Sequence, residues 1–413
     1  MFVGLSLDQA PPFRSPLKFF LTAPIFAMIA GIFALFSQTL DIHSSNMIAT
    51  IHLITIGYMV MIIFGALQQM LPVVAGAVIP KAKLTANITY TSLVVGLLAF
   101  SMAFFMYEKI LFFTAATFLF FALLYFVSIA LYQLAKVANK SYIVIGMIVS
   151  LSFFILAFLI GVHLIIAHAT SNISELHYSF ALIHYHAVFF GFIFILIVSI
   201  TFQVVPMFWV ADAFKQIEQK GIIISTSLVL ILYFINILFS LGLDSLYQVI
   251  MSILVLYFVL ITVKKLRTRR RKLKDISVYF YMTSMIFLAL GIVYWLIFSF
   301  IELPIEPLAI LLGIGFVVSL MNGMLYKIVP FLTWFHLNSK GLFDIPTMRD
   351  MIPLSKMQQQ YFIHLNSVIL LVLGFYFGID MIIYTAVILF IISNILFFIN
   401  IYTAAQVYLK REN

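Results

Sequence analysis

The sequence predicts an all-α integral membrane protein: twelve transmembrane helices arranged as three parallel four-helix repeats with pseudo-three-fold symmetry. Three observations lead there. Of 413 residues, 64% are hydrophobic and 9% charged, whereas a soluble domain carries about 25% charged residues. Apolar runs long enough to cross a bilayer follow one another along the whole chain. A pattern also recurs: His52, Gly57, Gln69, Pro72 returns as His186, Gly191, Gln203, Pro206, and again as Ile310, Gly315, Lys327, Pro330. A further column is small throughout, with Gly65, Ser199 and Gly323. Repeated patterns at near-regular spacing imply repeated structural units.

The spans read in order have approximate limits 17–39, 46–74, 86–107, 110–135, 142–168, 178–209, 221–242, 246–265, 276–300, 306–334, 357–378 and 381–405. Each is near the 20 residues a helix needs to cross, and too unbroken for the alternating strands of a barrel. The first follows a stretch with Pro11, Pro12 and Pro16 and no apolar core, so no cleaved leader is expected and the first span acts as its own insertion signal. The second, sixth and tenth carry the repeated columns, with Pro72, Pro206 and Pro330 expected to kink or end them. The repeats divide the single membrane domain into 1–140, 141–274 and 275–413. The longest polar connection is 335–356, with Asp344, Arg349 and Asp350.

Orientation follows from the basic residues. Of 23 Lys and Arg, Lys109 alone lies in a connection after an odd-numbered helix. The positive-inside rule then places both termini in the cytoplasm, and a bacterial inner membrane is the expected location. The net charge of +9 is a topology signal. The run Lys264, Lys265, Arg267, Arg269, Arg270, Arg271, Lys272, Lys274 follows the eighth span. It is expected to anchor the chain on anionic membrane lipid, and no nucleic-acid partner is expected. Lys327 is expected to snorkel to the cytoplasmic interface.

Absences narrow the chemistry. With no cysteine, disulfides, iron–sulfur clusters, thiolate metal sites and thioether-linked haem are excluded. The fourteen acidic residues fall at helix ends or in connections, which argues against proton coupling through a buried carboxylate. Phosphate-cradling glycine loops, paired catalytic carboxylates and serine triads are not apparent.

The nine histidines are not scattered. His43, His52, His163, His168, His177, His184 and His186 fall in the outer half of the membrane or at its surface, and His336 and His364 on the cytoplasmic side. Imidazole is the commonest ligand of haem iron and copper, and neutral histidine is cheap to bury when its second nitrogen is hydrogen-bonded. The plain alternative for each is a histidine bonded to a neighbouring carbonyl. At 100° per residue, His184 and His186 point about 200° apart, while His177 and His184 share a stripe. His52 and His186, in repeat register, are the leading cofactor ligands. His163, His168, His177 and His184 are further metal-ligand candidates. Gly57 and Gly191, five residues on, let a flat ring approach, or equally let helices pack closely.

Twelve helices in three arcs, with "HLITIGYMVMIIFGALQQMLPVVAG" around His52 and "HYHAVFFGFIFILIVSITFQVVPMFW" around His186, resemble the haem–copper oxidase subunit I superfamily. The histidine–glycine–proline spacing is also similar to that of the NnrS family, membrane haem–copper proteins linked to nitric oxide responses. The resemblance implies that His52 stands at a low-spin haem ligand position and His186 at a copper ligand position. Oxidases also carry paired histidines on helix 7, where this chain has none, and two on helix 10, where it has Ile310. Oxygen reduction at a binuclear centre is therefore not expected.

The function expected is haem binding, as b-type haem with His52 and His186 as axial ligands and with copper a second candidate. The expected role is redox or nitric-oxide-related, beside other respiratory-chain subunits. The alternative is a non-enzymatic transporter or channel for a small molecule or metal ion, using the outer histidines as its entry. A third is an assembly or sensor subunit.

Overall fold

A computed structural model describes residues 11–37, 39–270 and 272–411. The stretch before Pro11, Arg271 of the basic run, and Glu412 and Asn413 lie outside the described residues. So does much of what the expectations about leader and termini rest on.

Twelve helices long and apolar enough to cross a membrane are present among the described residues, as expected of a multi-pass membrane protein. They are α1 Arg14–Leu35, α2 Ser45–Ala75, α3 Ala82–Met106, α4 Lys109–Ala135, α5 Tyr142–Thr170, α6 His177–Trp209, α7 Gln216–Phe239, α8 Asp244–Arg267, α9 Ile276–Phe298, α10 Glu306–Ser339, α11 Leu354–Phe377 and α12 Asp380–Leu409. Helix α10 runs further than the apolar run suggests, which shortens the polar connection after it. Pro72, Pro206 and Pro330 lie inside their helices rather than ending them at once. Connections are tight: α3 turns into α4 through Tyr107 in the left-handed region (φ 56°), whose N–H bonds the Ala103 carbonyl.

The chain forms two compact units. One comprises Pro11–Leu67 and Leu273–Asn413, the other Gln68–Lys272, with the border falling inside α2. In the first, α1 packs on α2 and α12, α9 packs along α10, and α11 packs against α12. In the second, α3 and α4 form a hairpin, α4 packs on α5, α5 packs on α6, and α7 pairs with α8.

Helices α2, α6 and α10 share a local irregularity that, among the described residues, no other span has. Each contains a π-helical segment: Thr55–Val60, Ala187–Phe194 and Leu311–Val318. The segments end at Val60, Phe194 and Val318, the same offsets that relate His52, His186 and Ile310. A π-helical turn adds a residue, disturbs the regular hydrogen-bond ladder, and tends to occur at functional positions.

The small-residue columns are explained by packing. A Cβ on Gly191 would lie 2.7 Å from both Cβ and Cγ of Phe153 on α5, and one on Gly315 would lie 2.8 Å from Phe287 Cγ on α9. In the second column, a Cβ on Gly65 would meet Phe20 at 2.7 Å and Phe19 at 3.0 Å, and one on Gly323 would meet Phe280 at 2.6 Å. Between α5 and α6 this contact is reversed: Ser199 stands on α6 and the glycine, Gly146, on α5, where a Cβ would sit 1.8 Å from the serine hydroxyl. Each contact has one bulkier and one smaller partner, which is how close-packed interiors avoid both voids and overlap.

Lys327 does not simply snorkel. Its ammonium pairs with the carboxylate of Asp275 at the start of α9, and both side chains are largely buried, at 24% and 17% exposure. Asp275 also accepts from the Ser277 N–H (3.1 Å) and hydroxyl (2.6 Å). Burial works to raise the Asp275 pKa, but Lys327 and the two Ser277 bonds outweigh it, so the net shift is downward.

Two outcomes follow. Gly191→Ala and Gly315→Ala should each cost about 1–3 kcal/mol through overlap with phenylalanine, read as a lower melting temperature in detergent; unchanged melting would show that the rings move aside freely. Asp275→Asn leaves a buried lysine unpaired and should cost on the order of 3 kcal/mol. Because the folded carboxyl titrates below its unfolded value, the pair's contribution is present above the unfolded carboxylate pKa. It is lost as pH falls through the lower folded value. The melting temperature of the native protein should therefore drop at acid pH more steeply than that of Asp275→Asn.

Candidate functional site

His52 and His186 are held in the same way. His52 Nδ1 lies 2.7 Å from the Ile48 carbonyl and His186 Nδ1 lies 2.9 Å from the Leu182 carbonyl, in each case four residues earlier on the same helix. A carbonyl accepts only, so each Nδ1 carries the proton and Nε2 keeps its lone pair. That is the tautomer suited to a metal ligand. His52 stands one turn before the π-helical segment of α2, and His186 directly before that of α6. Ile310 directly precedes the segment of α10 and is buried, with no donor atom in its side chain.

Their surroundings differ. His52 is half-buried. His186 is buried inside a cage of rings: Tyr185 at 4.4 Å, Tyr233 at 4.9 Å, Tyr247 at 5.5 Å and Phe190 at 6.0 Å between centroids. Tyr233 and Tyr247 stack on each other at 3.6 Å and 4°. Asn236 ties the cage to the α7–α8 connection, donating to Asp244 Oδ1 (3.2 Å) and accepting from the Leu243 N–H (2.8 Å). Gly57 and Gly191 lie within the π-helical segments and are buried; for Gly191 the ring admitted is Phe153 of the neighbouring helix.

The other histidines of the second unit divide into three cases. His184 reaches across to α5, its Nδ1 2.8 Å from the Ala157 carbonyl, and its ring lies over Gly161. His163 is exposed and sits edge-to-face with Phe180 at 5.1 Å. His168 and His177, at the two ends of the α5–α6 connection, face each other with ring centroids 5.7 Å apart. His177 and His184 thus share the α6 face that packs on α5, as their seven-residue spacing suggests. Among the described residues, no group of three or more His, Cys, Asp or Glu side chains is placed to hold a metal ion.

His364 lies ten residues into the 24-residue α11, about 15 Å along the helix, and is buried at 1% exposure. Its Nε2 lies 2.8 Å from the hydroxyl of Ser319, the first residue after the π-helical segment of α10. His336, in the last turn of α10, stacks on Phe13 at 5.7 Å and 13°.

His364 belongs to a set of buried polar side chains that sequence reasoning missed. The Tyr326 hydroxyl donates to Gln360 Oε1 (3.1 Å) and accepts from Asn400 Nδ2 (2.9 Å); Gln360 Nε2 donates to Ser393 (3.0 Å). Thr283 bonds Tyr361 at 2.7 Å, and Tyr58 of α2 donates to Asn322 of α10. A signal was there to be read: Lys356, Gln360, His364 and Ser367 recur at helical spacing on α11 inside an apolar run.

No protein-family model matches the chain, and no curated protein matches it at a significant level.

Tyr326→Phe removes a hydroxyl that serves two buried amides. Leaving them unpaired should cost about 1–3 kcal/mol, seen as a lower melting temperature, whereas Tyr257→Phe on the lipid-exposed face of α8 should have no effect. Equal melting of the two variants would mean that the amides find other partners.

Proposed function

We propose that this multi-pass membrane protein binds b-type haem, with His52 and His186 supplying imidazole ligands to the iron, and serves a redox or nitric-oxide-related role. The observation that supports this reading is a shared anchoring: each of the two histidines bonds through Nδ1 to the carbonyl four residues earlier on its own helix, the tautomer in which Nε2 is the nitrogen suited to iron. The donor chemistry fits iron, and the aromatic cage at His186 suits an apolar macrocycle. Haem so held would supply reversible one-electron chemistry or an iron centre for a diatomic gas. The chain's own residues fix the ring tautomer through the Ile48 and Leu182 carbonyls and surround His186 with aromatic rings.

The architecture proposed with it is three parallel four-helix repeats, 1–140, 141–274 and 275–413, related by pseudo-three-fold symmetry. The common offsets of the π-helical segments and of the glycine–phenylalanine contacts support it, and the sequence resemblance to haem–copper oxidase subunit I and to the NnrS family agrees with it. An inner-membrane location with cytoplasmic termini, contact with respiratory-chain subunits, and copper as a second metal belong to the same proposal.

The test is an optical spectrum of protein purified from a haem-supplemented host. A Soret band and haem iron are expected. His52→Ala and His186→Ala should each abolish the low-spin bands, and exposed His43→Ala should not alter them. A preparation without a Soret band after supplementation would overturn the reading. A transporter or channel remains a second reading, favoured by one observation: the polar side chains of α9–α12 are buried within spans that otherwise face lipid and apolar core. Liposome uptake by haem-free protein, abolished by Gln360→Leu, would support that reading.

A further inference from the structure

We propose that His168 and His177 form a two-histidine site for a late first-row transition-metal ion, copper before zinc. The site goes beyond the haem reading and does not use His52 or His186.

The turn between α5 and α6 builds it. Ser171 takes a left-handed conformation (φ 55°) at the end of α5. The Asn172 N–H bonds the Ala167 carbonyl at 3.1 Å, and the His177 N–H bonds the Ser174 carbonyl at 3.0 Å. The backbone is thus fixed on both sides of a short connection, which sets a last-turn residue of α5 beside the first residue of α6. The imidazoles meet at 5.7 Å between centroids and 76° between planes. An ion about 2 Å from one nitrogen of each ring would hold the centroids roughly 6 Å apart, so little movement is needed to close on it.

Three further observations point to an ion rather than to simple ring packing. Nδ1 of His177 is buried and, among the described residues, has no hydrogen-bond partner; such an atom calls for an explanation, a bound ion being one. Phe104 stands edge-on to His168 at 5.3 Å, an apolar wall that strengthens metal–ligand attraction. Both histidines are half-buried at helix ends, which leaves water to complete the coordination and a path for entry.

The donor set selects the metal. Two imidazoles without thiolate suit copper and zinc, and, among the described residues, no carboxylate joins the pair to favour magnesium or calcium. Among divalent first-row ions, copper binds nitrogen donors most tightly.

The experiment titrates Cu(II), then Zn(II), into the full-length, haem-free protein in detergent against a chromophoric chelator, with paramagnetic resonance of the Cu(II) form. The expected result is one ion per chain with imidazole-nitrogen couplings. His168→Gln and His177→Gln should each weaken binding at least about tenfold, with His43→Gln unchanged. The haem spectrum of His168→Gln protein, prepared with haem, should match that of the unaltered protein, so failure of one proposal does not mask failure of the other. Absence of binding, copper without imidazole couplings, affinity that survives both substitutions, or an equal loss in His52→Ala would each overturn the site.

Discussion

Inside a bilayer no water is at hand to complete a backbone hydrogen bond, so every span must satisfy its own N–H and C=O groups or borrow side chains to do so. That constraint makes the three π-helical segments the most telling feature of the molecule. A single irregular turn in a transmembrane helix is costly enough to need a reason. Three such turns, in α2, α6 and α10, ending at matching positions, indicate a shared one. Around each, side chains act on the backbone or on one another: the imidazoles of His52 and His186 take carbonyls one turn back. At the third, the Ser319 hydroxyl and His364 Nε2 are hydrogen-bonded at 2.8 Å. Before that segment stands Ile310, and the polar contact comes from α11.

The polar set of α9–α12 obeys the same rule at side-chain level. Gln360, Asn400, Ser393 and Tyr326 are each almost fully buried, and each spends its hydrogen-bonding capacity on another member. Such a network fixes helix register, since sliding one helix by a turn would strand several groups at once. The aromatic cage at His186 orders its end of α6, α7 and α8 differently, by ring stacking and the Asn236–Asp244 contact. The first unit is therefore tied by amides and hydroxyls, and the wall of His186 by aromatic faces.

Much of this was legible in the sequence. Twelve apolar runs became twelve helices because length and hydropathy alone decide a membrane span, and limits differed mainly where polar residues such as Gln216 or His336 extend a helix beyond the apolar stretch. Among the described residues, the helix-end or loop positions of the acidic side chains were also plain. Other features were not legible. Nothing in "HLITIGYMV" distinguishes a π-helical turn from an α-helical one, because both are built from the same apolar residues. The partner of His364, the Ser319 hydroxyl, lies 45 residues away in sequence and meets it only in the fold. The ion pair of Lys327 was not legible because its partner, Asp275, lies 52 residues away in sequence and meets it only in the fold. The tautomer of His52 and His186 depends on which carbonyl each ring meets, and spacing does not reveal that.

The reversed contact at Gly146 and Ser199 has a consequence for how such a molecule drifts and can be recombined. In α1–α2 and α9–α10 the bulk sits on the first helix of the pair and the gap on the second; in α5–α6 the gap has crossed over. Neither residue is therefore replaceable alone. A chimera that moved α9 into the place of α5 would drive Phe280 against Ser199, whereas moving α9 and α10 together would carry a matched pair. The unit that can be exchanged without a clash is the helix hairpin, because each hairpin carries both halves of its own volume match.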